Sequence, residues 1–308
     1  MSWILITVVA YFFLALASLG DKFLIDHVVK NSRVYAFLIS IMGSLAVLLA
    51  PWFLVWPGWY WFGANLIFGA FFTLALIFMF EALKRGEASR VTVIIGGLIP
   101  IFTISWSWMF FNESFSLEQS AGIALLLLGT FAIASISEES GGGRLSKQAL
   151  GFAFLSALAY AINFLGTKYA YNSQGFWSPF IWLKLGGGLA ALLILIKKNN
   201  RRDIWESIFG KEQKKSGQAR AKNKSGWLVI FNQIMGALGS VLQSYAISFG
   251  SVAIINALQG VQYAFLLLLG WLLTIFRPDI IKENIHRNIL IKKFIAVALV
   301  SLGLYFII

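Results

Sequence analysis

Apolar runs of about twenty residues follow one another along the whole chain, separated mostly by polar turns a few residues long. A helix of that length crosses the hydrocarbon of a bilayer and satisfies its backbone amides internally, so such runs have few other folds open to them. They fall at residues 3–24, 34–56, 59–83, 88–111, 117–136, 148–171, 176–196, 226–248, 251–276 and 289–308. Ten spans predict an all-α integral membrane protein, multi-pass in the cell membrane. Composition supports this: only 12% of residues are charged, against about a quarter in soluble domains, and mean hydropathy is +0.78. The first run ends in small residues as a signal peptide does, but no basic segment precedes it, so it reads as the first transmembrane helix.

Glu138-Glu139 and Gly141 to Gly143 mark a linker near the midpoint, giving a first five-helix repeat over 1–136, a linker over 137–147 and a second five-helix repeat over 148–308. Because five is odd, homologous halves enter the bilayer from opposite sides, which predicts an inverted repeat with a substrate site at its interface. A register follows from matching segments. Tyr245 to Gly260 lies over Glu81 to Gly96, with Ala82 on Ala246, Gly86 on Gly250 and Gly96 on Gly260. Leu19 to Leu24 lies over Leu165 to Ala170, with Lys22 on Lys168, and Gly129 falls on Gly303.

Of the 25 basic residues, ten sit between Lys197 and Lys224 in the loop 197–225, and most others occupy loops on the same side of the bilayer. Positive-inside logic makes that side cytoplasmic and places both termini outside. The net charge of +12 is therefore read as contact with anionic lipid headgroups, and nucleic acid is not expected as a partner. Arg201 to Lys215 and the set Ile280, Ile281, Ile285 and Ile289 have the spacing of interfacial helices. There is no cysteine, the two histidines His27 and His286 fall in loops, and no catalytic motif is present. An enzyme, a metal site and a cofactor are not expected.

Polar residues inside spans are the candidate functional residues, because they are expensive there. Lys184 is the sharpest, lying deep in span 7 just before Gly186 to Gly188, and it suits an anionic group of a substrate. Asn256, Gln259, Gln262 and Tyr263 share one face of span 9 at steps of three and four, and span 8 adds Asn232 and Gln243. Asp21 and Glu81, near span ends, are the candidate coupling acids.

Phe80-Glu81-Ala82-Leu83 and the turn that follows it, Pro100 in the fourth span, Asn112-Glu113 at its end and Leu126 to Thr130 in the fifth together resemble the drug/metabolite transporter superfamily, in particular its EamA-type members. The second half departs from that pattern, with Ala264 opposite Pro100 and Arg277 opposite Glu113. The resemblance implies a ten-helix transporter that moves a small organic solute, metabolite or amino-acid-like, by alternating access. It also implies cytoplasmic termini, the reverse of the charge count. A lipid-linked sugar flippase or a membrane scaffold protein is the alternative reading.

Overall fold

A backbone in hydrocarbon has no water to bond, so the apolar runs close their hydrogen bonds as helices. The computed structural model describes residues 2–27, 32–85, 88–138, 146–196, 200–202, 204–205, 219–276 and 287–307, and no strand occurs among them. The helices are α1 (Ser2–His27), α2 (Ser32–Ser44), α3 (Ala50–Phe53), α4 (Trp59–Leu83), α5 (Ala88–Phe111), α6 (Leu117–Glu138), α7 (Lys147–Gln174), α8 (Trp177–Ile194), α9 (Ala219–Phe249), α10 (Val252–Ala257), α11 (Gln259–Phe276) and α12 (Arg287–Ile307). Among the described residues seven stretches are long and apolar enough to cross a membrane, and Leu117–Ala132 and Phe294–Ile307 are shorter apolar helices. The proposed interfacial segments at 201–215 and 280–289 fall largely outside the described residues.

Two runs that hydropathy reads as continuous are interrupted. In the second, a 3-10 stretch at Leu45–Leu49 separates α2 from α3. Pro51 accounts for it: its ring crowds the carbonyl of Val47 and it has no amide to offer, so Ala50 bonds Val47 in the tighter i→i+3 pattern instead. In the ninth, α10 ends at Ala257 and the Leu258 carbonyl accepts from Val261, a 3-10 turn between α10 and α11. Serines cap the starts that polar turns provide. Ser116 and Gln119 bond reciprocally at α6, and Ser146 and Ser251 accept from the third amide beyond them at α7 and α10. Asn112, at φ 50, takes the left-handed turn between α5 and α6 that its short polar side chain tolerates.

Lipid is as apolar as leucine, so helices in a membrane pair where small residues let backbones meet and where polar groups bond across. α4 packs along α7 and α8, α1 along α9 and α11, α5 along α7, and α6 along α12. A Cβ on Gly186 would stand 2.4 Å from the Leu66 carbonyl oxygen, and on Gly69 it would overlap the Leu183 carbonyl, so α4 and α8 touch backbone to backbone. Thr73 donates to the Gly187 carbonyl and lies 2.8 Å from Ser40 Oγ, joining α2 to the same seam. Gly122 and Gly303 form a similar contact between α6 and α12. By contrast, α2 and α9 barely touch.

Candidate functional site

Lys184 lies one turn after the buried Phe180 on α8, at a level where α2, α4 and α9 converge. Its Nζ donates to Ser240 Oγ of α9 at 2.9 Å. It also stands 5.3 Å from the ring centre of Phe72 on α4 and 5.5 Å from that of Phe180. Gly43 of α2 flanks its side chain, with room for a methyl group 3.8 Å from Cδ. An ammonium has three N–H bonds, and among the described residues Ser240 is its hydrogen-bond acceptor and no carboxylate pairs with it. A charge in a span held by one hydroxyl and two ring faces is incompletely compensated, since each ring face supplies on the order of 2 kcal/mol and desolvating an ion costs several, with two of the three N–H bonds left without an acceptor among the described residues. An added anion would complete that compensation.

The amide residues gather elsewhere, against α1. Asn232 Oδ1 occupies the space beside Gly20, where a Cβ would collide with it. Gln243 donates to the Tyr11 hydroxyl at 3.3 Å, which donates in turn to the Ile255 carbonyl at 2.7 Å, beside the break between α10 and α11. Gln262 donates to Ser18 Oγ at 3.1 Å. Tyr263 donates to the Thr92 carbonyl of α5 at 3.1 Å and fills the space over Gly96. Gln259 is half-buried at the break itself. Asn256 is 1% exposed, and its Nδ2 and Ser107 Oγ are the buried side-chain polar atoms without a hydrogen-bond partner among the described residues. Three of the candidate amides thus join α9 and α11 to α1, while Lys184 meets α9 at Ser240, three residues before Gln243. Tyr11 and Ser18 were not singled out in the sequence, although their spacing of seven puts them on one helical face.

The candidate acids differ in standing. Glu81, with 9% of its side chain exposed, receives Arg33 at 3.2 Å, Lys84 at 3.9 Å and a charge-assisted bond from Arg85. Arg33 also donates to Asn200, whose Nδ2 bonds the Ile194 carbonyl, so the ends of α2, α4 and α8 are tied together on the basic face. The side chain of Asp21 lies outside the described residues. On the opposite face Glu113 accepts from Ser251, and Lys168 bonds the Ile247 and Gly250 carbonyls at 3.0 and 2.8 Å, where the end of α9 concentrates negative partial charge. A groove of about 450 Å³ lined by Ser105, Trp108 and Glu113 and another of about 400 Å³ beside Arg85 and Phe152 open on the surface, and neither includes Lys184 or the amide residues.

A solved structure titled "Crystal structure of protein" has a similar fold, with a TM-score of 0.67 and 17% identity over 99% of this chain and 96% of that one. No curated protein matches the chain. Residues 1–135 match the EamA-like transporter family, a family of membrane transporters in the drug/metabolite transporter superfamily, which is the family the sequence resembles.

Proposed function

We propose that this chain is a secondary transporter of small organic anions, working by alternating access between two inverted five-helix halves, residues 1–136 and 148–308. The observation that carries the reading is Lys184: an ammonium within a span, joined by hydroxyl and rings to helices of both halves, with no carboxylate partner among the described residues. An intramembrane charge left in that state is retained for what it binds.

The repeat is supported by contacts that recur under the sequence register. The shifts that carry Gly20 onto Gly166 and Ala82 onto Ala246 also carry Asn232 onto Phe68, and Gly20 meets Asn232 as Gly166 meets Phe68. The shift of Gly129 onto Gly303 carries Gly122 onto Ala296, and Gly129 meets Ala296 as Gly303 meets Gly122. The same register matches the Tyr11, Gln243 and Ile255 relay with Ala157, Met79 and Val91, which belong to one apolar cluster. One copy of the seam is polar and the other apolar, which supports a solute path beside α1, α9 and the broken span.

Alternating access is supported by one unequal pair. α4 and α8 are sealed, while their counterparts α9 and α2 barely touch. The basic face is read as cytoplasmic, with its loops against anionic headgroups. Glu81, held by three cations, is read first as a tie between helix ends, and any proton-coupling role would pass through release of that tie. In reconstituted vesicles Lys184→Met is expected to abolish uptake of the small carboxylates that the unaltered protein carries. Unchanged uptake of every one of them would remove Lys184 from the site and the reading with it.

A further inference from the structure

We infer that the solute is a monovalent carboxylate with a flat, ring-bearing apolar body, an inference that rests on Lys184 being the solute anchor. The first ground is charge. The space around Lys184 offers one cation, and the ion pairs among the described residues all belong to Glu81, at the end of α4 with its own three cations. Glu113, in the turn after α5, is taken by Ser251. A zwitterion would bring an ammonium that meets no carboxylate beside Lys184 among the described residues, and an unpaired buried charge is prohibitively costly. A phosphate ester would bring a second negative charge, for which sites use several cations or forked guanidinium groups.

The second ground is the walls. Phe72 and Phe180 present their rings to Nζ, one from each half. Phe72 meets Tyr160 edge-on at 6.1 Å, and Tyr160 stacks on Phe164, so the aromatic surface continues along α7. When a carboxylate binds, the ammonium turns toward it while Ser240 retains one N–H, and the two ring faces that had compensated the charge become free to cover the solute's body.

The test is equilibrium titration of the full-length protein in lipid nanodiscs with phenylacetate, propionate, L-phenylalanine and phenyl phosphate. Phenylacetate is expected to bind at least about ten-fold more tightly than each of the others, a difference set by one lost charge pairing or ring contact. Phe72→Leu, which keeps the wall apolar, is expected to erase the preference for phenylacetate over propionate, and Lys184→Met to remove binding of both. If L-phenylalanine or phenyl phosphate binds as tightly as phenylacetate, the monovalent class is overturned, and Lys184→Met then reports separately on the anchor. Failure of phenylacetate to bind also overturns the class, while the anchor stands if Lys184→Met abolishes uptake of another anion. Binding unchanged by Lys184→Met overturns both.

Discussion

The phenol of Tyr11 accepts from one helix and donates to another, and this double role gives it more weight than its single side chain suggests. Removing the hydroxyl leaves the Gln243 amide and the Ile255 carbonyl without it, in a medium with no water to substitute. Interhelical hydrogen bonds in membranes are individually modest, and two groups losing a partner together cost about 1–2 kcal/mol. Tyr11→Phe is therefore expected to lower the unfolding temperature in detergent, whereas Tyr60→Phe, at the exposed Tyr60–Tyr169 contact, leaves it unchanged. The sequence made part of this site legible. Asn232, Gln243 and Gln262 stood out because polar groups at helical spacing are conspicuous in apolar runs, and Lys184 because its depth exceeds what an end charge needs. Their partners on other helices did not stand out: Tyr11, Ser18 and Phe72 are ordinary residues in spans, and only tertiary packing brings them to the amides and the ammonium.

Elements are held by close approach more than by apolar area, and the α4–α8 seam makes the point testable. Gly186 faces the Leu66 backbone, which cannot yield as a flexible side chain would, so Gly186→Ala is expected to destabilise the protein by about 1–3 kcal/mol. Gly63, on the same helix as Leu66, has open space where a Cβ would stand, so Gly63→Ala is expected to be neutral or stabilising by up to about 1 kcal/mol through helix propensity. Thermal unfolding of the two variants side by side checks the contrast. Span positions were legible because length and hydropathy determine them. The interruptions in the second and ninth spans were not, because hydropathy counts apolar residues and is blind to hydrogen-bond register. Pro51 was a visible signal for one of them; the turn at Leu258 has no comparable residue and depends on packing, with Gly260 lying against the Leu126 carbonyl and Thr130 of α6.

At the scale of the molecule, the proposed register lays two halves of different chemistry over each other. Where the first half has Phe68, Met79 and Leu98, the second places Asn232, Gln243 and Gln262 at the matching positions, so the proposed repeat would carry an apolar seam in one copy and a polar one in the other. If the proposed inverted repeat holds, the closed α4–α8 contact and the sparse α2–α9 contact would be two states of one interface, and a transporter would exchange them. The chain contains no cysteine, so spin labels can be introduced at chosen sites without background. Met42→Cys with Leu238→Cys reports the α2–α9 slot, and Ile67→Cys with Leu189→Cys reports the α4–α8 seam, all at exposed positions. The measurement is the distance distribution of each labelled pair in lipid, with and without saturating phenylacetate or another carboxylate that the protein transports. The account predicts that the two distances shift in opposite senses, one closing as the other opens. Two distances that stay fixed under every condition, or that change together, would contradict it.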